Sequence, residues 1–556
     1  MDVMKKYFAW LFVIIALISC DQVMDLSPEE KTEITYDKIS LSLFESGEFN
    51  VDVDRADYTY TLMISKTHCE KSAIARIEVV SAEEFGGEFV QLPAEHYEIA
   101  TTVEFKENDV LQMLELRIKD INTLDSSKKY VLGLRLVSDD VDVDDEKNLL
   151  VFYLKPKQGG ADSPYIITTP DELLQLQSYL ADGKKTYVKL GADIDMTGKV
   201  WVPVETSDFR TIDFDGCGHT ISNLNVTSST SAYQGFFGAL VGRCANVTFK
   251  DAHIEADRKL TGIVAGSVGL RATDPVATGE VHNVHVSGDI SLDSGNGASG
   301  AWDNGQAGGI CGLLHGASVI KACSSTVDLN VYWSAGGIAG EARRGALIEE
   351  CWFVGTVTTK SCAGGIASRL LGAEIRNCYS KGTVSALPYV VANPAGGIAG
   401  WVQPNFEDAT AATISYCWSS CSVAAQNQVG GILGNAYHTT GIGITVHHCV
   451  AWNTDLTSGA APKSGRVCGR YSQNVAYSCY ANPNMAMAIK GNPAITDQSS
   501  VNTGNGDTGT FDRYNGLSDK ETLMVAVEAL SWDTQIWDLS GTEPHLKWET
   551  ATITNI

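Results

Sequence analysis

Basic charge is scarce in this chain: 41 lysines and arginines stand against 67 aspartates and glutamates, a formal net charge of −26 over 556 residues. Nucleic acids and anionic membranes recruit proteins through clustered Lys and Arg that displace counterions, so neither surface is an expected partner. Long apolar runs are equally rare. Beyond the first nineteen residues none approaches the ~20 needed to cross a bilayer. Metal-binding patterns are missing as well. No His-Glu-x-x-His occurs, and none of the 14 cysteines forms a Cys-x-x-Cys pair, so neither zinc-protease chemistry nor a tetrahedral thiolate site is expected and no cofactor is implied. The run Asp139-Asp-Val-Asp-Val-Asp-Asp-Glu146 crowds carboxylates as a calcium site would, but it lacks the glycine and closing glutamate of an EF-hand loop and reads as a solvated hairpin tip.

Residues 1–19 hold a basic pair, Lys5 and Lys6, and an apolar run from Tyr7 to Ile18 too short for a stable span. Their ending, Leu17-Ile18-Ser19-Cys20, resembles a bacterial lipoprotein signal. That resemblance implies a signal peptide over 1–19, acylation of Cys20 and a surface-exposed outer-membrane location, with the membrane touched only through the lipid. Residues 20–33 read as a polar tether.

From 34 to 157 short runs alternate apolar and polar residues: Ile39–Leu43, Tyr58–Ile64, Ala75–Val79, Leu114–Ile118, Tyr130–Leu136 and Leu149–Leu154. Such runs at regular spacing predict an antiparallel β-sandwich, in which the lone Cys69 fills core. Leu92-Pro-Ala-Glu-His-Tyr97 together with Tyr130–Ser138 resembles the N-terminal domain of unknown function of Bacteroidetes surface lipoproteins, which often precedes glycan-active or glycan-binding modules. Residues 158–164 are a linker by composition. Thr169-Pro-Asp-Glu172 then opens a capped helix whose apolar side is Leu173, Leu174, Leu176 and Leu180.

A Gly-Gly-Ile-like turn recurs at Gly308, Gly336, Gly364, Gly396, Gly430 and, degenerate, Gly465. Each is followed by one cysteine in a strand-like run: Cys323, Cys351, Cys378, Cys417, Cys449 and Cys479. The turns lie 28, 28, 32, 34 and 35 residues apart, in the range of units that cannot bury their own apolar face and must stack. The order Leu190–Met196, Trp201-Val-Pro203, Phe214–Val226 and then these turns resembles the GLUG-repeat modules of bacterial adhesins and of accessory regions of immunoglobulin-cleaving proteases. The resemblance implies a right-handed parallel β-helix over 165–548; at its far end Asp519–Leu530 reads as a helix, which with Trp532, Trp537 and Pro544–Trp548 is the expected closing cap. The expected fold class is all-β, with short capping helices only.

Aligned on the apolar residue three before each cysteine, earlier coils place Leu224, Val247 and Val284 at the cysteine position. A position that takes Leu, Val and Cys is an inward rung, so the thiols form a core ladder rather than disulfides or metal ligands. Alternation turns the next residue outward: Ser324, Trp352, Tyr379, Trp418, Val450 and Tyr480. Trp352, Tyr379, Trp418 and Tyr480 are the candidate ligand platform, since flat rings stack on sugar faces without a deep cavity. A purely structural ladder covered by other parts of the chain is the competing reading.

Catalysis on a β-helix needs paired carboxylates or a base with a cation. Asp213 with Asp215 falls in a turn motif of the resembling coil, and Glu349 with Glu350 is expected to face opposite ways on a strand. His447–His448 should put one ring outward and one inward, and the Asp-Asp and Gly-His-Gly signatures of polygalacturonases are absent. No catalytic residue is assigned. The expectation is a lipid-anchored, monomeric, cell-surface protein, glycan-binding or adhesin-like, whose partner is an extracellular glycan or host surface. The alternatives are a polysaccharide lyase or glycoside hydrolase sited on the insertions at 270–280, 291–307, 387–393 and 402–412, and a stalk without ligand.

Overall fold

The computed structural model describes residues 40–552 except 45, 52–56, 68–70, 122–123, 126–127, 155–158, 162, 228–231, 257–259, 271–276, 293–304, 388–392, 406–409, 438–442, 459–463, 471–475, 490–515 and 518. The expectations for residues 1–19, Cys20, the tether and Cys69 lie outside the described residues. The chain divides into two compact units after Lys157.

The first unit is a sandwich. Among the described residues one sheet runs Asp142–Val143, Ser40–Leu43, Tyr58–Lys66, Leu111–Ile118, Tyr97–Glu98; the other runs Gly47–Asn50, Leu149–Leu154, Lys129–Val137, Ala73–Val80, Thr102–Phe105, with Phe89–Gln91 also beside Lys129–Val137. Alternation puts Leu62, Ile64, Leu116 and Ile118 of one sheet against Ile77, Leu132, Leu134 and Phe152 of the other. Pairing is mainly antiparallel, but three edge pairs are parallel: Ser40–Leu43 with Asp142–Val143, Leu149–Leu154 with Gly47–Asn50, and Phe89–Gln91 with Lys129–Val137. The acidic run therefore supplies a short edge strand, and Asp139 at its start pairs with Arg76.

The second unit is a parallel β-helix. One coil runs Gln306–Gly308, Cys311–His315, Val319–Lys321, Ser324–Val331, and these segments stack into an eight-stranded, a nine-stranded and a long bent 23-stranded sheet among the described residues. The glycine turns stack as Gly308 on Gly336, Gly364, Gly396, Gly430 and Gly465. Close approach requires the glycines: a Cβ on Gly364 would lie 1.9 Å from the Ala367 carbonyl oxygen, and one on Gly309 would lie 2.1 Å from Ser325 Oγ. The stack also begins earlier than the six turns suggested. Gly262 pairs with Gly308, and Gln234 with Thr261, so Thr261-Gly-Ile-Val-Ala-Gly266 is a further turn of the same kind.

At the N-terminal end Thr169 and Glu172 form a reciprocal capping box on the short helix Pro170–Leu173. Leu173 and Leu176 are sealed in the solenoid core, whereas Leu174 is 42% exposed and takes no part in the cap. The expected closing cap is not one. Residues 516–552, with a helix at Leu523–Ala529, run back along the flank of the stack and pack on its side.

Candidate functional site

The cysteine rungs lie at a corner of the bent sheet. Trp352 N–H donates to the Cys323 carbonyl, Tyr379 to Cys351, Trp418 to Cys378, Val450 to Cys417 and Tyr480 to Cys449, at 2.9–3.1 Å, and all six cysteine side chains are free and at most 2% exposed. The ladder continues through Val284 and Val247, but Leu224 is a correction. The pairing of Asn225 with His253 sets Leu224 beside Ala252, and Gly216 occupies the place over Val247.

Just before each rung stands a residue with left-handed backbone: Asn246, Asn283, Ala322, Glu350, Asn377, Tyr416, His448 and Ser478, all with φ of 50–54°. Each non-glycine residue held there costs about 1–2 kcal/mol, asparagine least. The kink gives the thiol its use, since each Sγ–H meets the carbonyl two residues back, from Cys323 with Lys321 O at 3.1 Å to Cys479 with Tyr477 O at 3.3 Å. Burial pushes the Cys323, Cys351, Cys378 and Cys417 thiols well up from their ordinary range. Of the described cysteines only Cys217 is exposed. Alkylation of the folded protein followed by peptide mass mapping should therefore label Cys217 and spare the rungs until unfolding; labelling of any rung in the native state would contradict the ladder.

The same kink breaks strand alternation and corrects two expectations. Glu349 and Glu350 do not face opposite ways: both reach Lys321, at 2.9 and 3.0 Å. Burial raises the Glu349 carboxyl, but hydrogen bonds from Lys321 and Arg376 outweigh it and hold the group below its ordinary range. His447 and His448 are both half-buried on the outer side, with Nδ1 atoms 2.9 Å apart and His448 stacked on Tyr416. Asp213 is held by Lys185 at 2.8 Å and Arg243 at 3.3 Å, and Asp215 accepts from Cys217 N and Asn246 Nδ2, so neither carboxylate is poised for chemistry.

Trp352, Tyr379 and Trp418 do form an outward stack, with centroids 5.9 and 5.0 Å apart and planes within 14°. It is not an open platform. Tyr379 and Trp418 are 3% and 0% exposed beneath the C-terminal strap, while Trp352 and Tyr480 pack half-buried against the same cluster. The strap's indoles bond the kinked corners: Trp532 Nε1 to His448 O at 3.0 Å, Trp537 Nε1 to Asn377 Oδ1 at 3.3 Å and Trp548 Nε1 to Glu350 O at 2.9 Å. Trp548 also stacks on His285, 5.4 Å away. Tyr379 hydroxyl donates to Glu549 at 3.0 Å, and burial with that carboxylate pushes the phenol up. The acceptors at the corners of Glu350, Asn377 and His448 are thus the strap's docking points.

Among the described residues an open surface lies on the other limb of the bent sheet. Asp289 pairs with Asp328, Ser291 with Asn330, and Asn330 with Thr358, so their side chains line successive rungs of one face. Two cavities of about 500 and 280 Å³ share Ser291, Asn330 and Thr358 and form one trough, with Asp289, Asp328 and Thr356 at one end and Tyr332, Lys360 and Leu387 at the other. Lys360 Nζ sits 4.6 Å from the Tyr332 ring centre, Trp333 meets that ring edge-on at 5.6 Å, and Asp328 Oδ1 accepts from Thr356 N–H at 3.1 Å. Sequence reasoning missed this face because it followed the residue after each cysteine and not the rows four to eight positions further on. Tyr332-Trp333 followed by Lys360 one coil later was the available signal.

A solenoid of glycine-turn coils behind a β-sandwich defines the class. Residues 23–143 match a family described as an N-terminal domain, and residues 360–385 match the GLUG motif. The chain is 29% identical over 214 residues to halomucin of Haloquadratum walsbyi, spanning 36% of this chain and only 2% of halomucin. A Bacteroides ovatus protein provisionally named an immunoglobulin A1 protease is similar at 25% identity, with a TM-score of 0.39 over 70% of this chain and 94% of that one. A second Bacteroides ovatus protein, provisionally named carbohydrate-binding, is similar at 19% identity, with a TM-score of 0.19 over 22% of this chain and 38% of that one. The architecture joins a domain of that N-terminal family to a solenoid that carries the GLUG motif. No helix among the described residues is long and apolar enough to cross a membrane.

Proposed function

We propose that this protein binds an extracellular glycan at the cell surface, anchored to the outer membrane through Cys20, and that the glycan lies along the trough from Asp289 to Lys360. The observation that carries this reading is the trough itself: hydroxyl, carboxamide and carboxylate side chains in register over three coils, ending on the ring of Tyr332. Rungs repeat at ~4.8 Å on a rigid ladder, so an extended chain meets equivalent donors and acceptors at each step without ordering any loop. Asp289 and Asp328 at one end, in a chain of net charge −26, disfavour a uronate and favour a neutral glycan.

Binding of the full chain to a panel of neutral and acidic oligosaccharides tests this. Tyr332→Ala should weaken the best neutral ligand by about tenfold, the loss of one stacking contact of about 1.4 kcal/mol, and Lys360→Ala by a similar factor through one lost hydrogen bond from its ammonium group. Unchanged affinity in both variants, or a preference for uronates, would sink the assignment. A hydrolase is the second reading, favoured by the Asp289–Asp328 pair on adjacent rungs of one face. Release of reducing ends by the native chain, abolished in Asp328→Asn, would replace binding with turnover.

A further inference from the structure

The outer face of the nine-stranded sheet carries a second arrangement that the trough does not use. Strands Ala399–Gln403 and Leu433–Ala436 are adjacent, with Trp401 paired to Asn435 and Val402 to Ala436, which sets Gln403 beside Tyr437. The four side chains make a block with rings on one diagonal and carboxamides on the other. The Trp401 and Tyr437 centroids are 5.5 Å apart at a tilt of 35°, and Trp401 Nε1 donates to Gln403 Oε1 at 3.1 Å. Tyr437 is 38% exposed.

Asn435 gives the block a direction. It is 0% exposed, and neither its Oδ1 nor its Nδ2 has a partner; Gln428, on the neighbouring strand of the same coil, is 1% exposed with its Oε1 unpartnered. Buried carboxamides are bonded almost without exception, because an unmade hydrogen bond forfeits the hydration of the group. Packing does not demand an amide here. The same ladder runs from Glu205 through Ala239, Ser267, Leu313, Glu341, Arg369 and Trp401 to Asn435 and Arg470, and it holds apolar side chains at Ala239 and Leu313, each 2% exposed.

We infer that this block is a second binding site for a neutral sugar. The sugar stacks on Tyr437 and Trp401, and its hydroxyls take up the donors and acceptors that Asn435 and Gln428 leave unmade. The inference rests on the glycan-binding reading but uses a different sheet from the trough, so the two separate by experiment. Titration calorimetry of the full chain with its best neutral oligosaccharide should give two sites. Trp401→Ala and Asn435→Leu should each leave one, and Tyr332→Ala should weaken the other by about tenfold. Asn435→Leu should also raise the unfolding temperature, since it replaces unbonded polar atoms with an apolar group of similar size; a gain in stability with loss of a site is an outcome that a merely structural asparagine would not produce. Two sites retained in Asn435→Leu, or a lowered unfolding temperature, would overturn the inference. A single site, weakened only in Tyr332→Ala, would overturn it while leaving the trough in place, and no binding by the native chain would overturn both.

Discussion

Replacing Trp537 with alanine should destabilise the solenoid unit by roughly 3–5 kcal/mol, the usual cost of emptying a buried aromatic site. Trp537 is 1% exposed, meets Trp532 at 4.7 Å and Tyr379 at 6.5 Å, and donates to Asn377 Oδ1. Its removal opens a cavity over the aromatic stack and leaves the Asn377 side chain without its donor at a left-handed corner. The strap touches the stack from Tyr480, where Leu517 bridges, to His285 under Trp548, about 29 Å at ~4.8 Å per coil. It therefore ties together coils that otherwise contact only their neighbours, and in a solenoid such a tie couples units that could open separately. Urea unfolding followed by circular dichroism measures the change, with Val525→Ala, at a side chain 45% exposed on the strap helix, as a control expected within about 0.5 kcal/mol of the native chain. A loss below about 1 kcal/mol for Trp537→Ala would show that the strap rests on the stack without supporting it.

Glu341→Ala should cost a similar roughly 3–5 kcal/mol, for a different reason. Glu341 is fully buried on the outer face of the nine-stranded sheet. Its Oε2 accepts from Gln306 Nε2 and Arg369 Nη1, each at 2.8 Å, and its Oε1 faces Arg343 Nε at 2.5 Å. The two guanidinium groups are only 14% and 12% exposed, so losing the carboxylate strands positive charge where water cannot replace it. The double variant Glu341→Leu with Arg369→Leu should recover part of the loss, because it removes one of the two stranded guanidinium groups and leaves only Arg343 without its carboxylate. A double-mutant cycle reads this directly. If the single variant were neutral, or the double variant no better than the single, the cluster would not be the buried ion network described above.

Much of the fold was legible. The glycine turns at Gly308 to Gly465 and the single cysteine after each report a stacked coil, because only glycine permits the backbone approach and only small apolar side chains fit the rung. The turns at Gly235 and Gly262 were harder to see, since Phe236-Phe237 and Ile263-Val264 replace the second glycine and isoleucine. The functional surface was misplaced. Trp352, Tyr379, Trp418 and Tyr480 point outward as alternation requires, yet alternation within a strand says nothing about a segment up to 170 residues away in sequence that folds back over it. The left-handed corner was also hidden where Ala322, Glu350, Tyr416 and His448 occupy it, although Asn246, Asn283 and Asn377 in the other coils mark it.

By itself the sequence determined the local and periodic features of this protein: an all-β chain, a sandwich ahead of a parallel solenoid, the register of the cysteine ladder and the outward direction of the aromatics. These follow from side-chain size, alternation and backbone freedom, which act between residues close in the chain or one coil apart. Tertiary structure alone decided which outward face is open. The strap buries the aromatic stack because three indole N–H groups find acceptors at kinked corners, and among the described residues the polar limb carries the trough. That choice depends on contacts between segments far apart in sequence, for which no residue pattern in either segment carries a local sign.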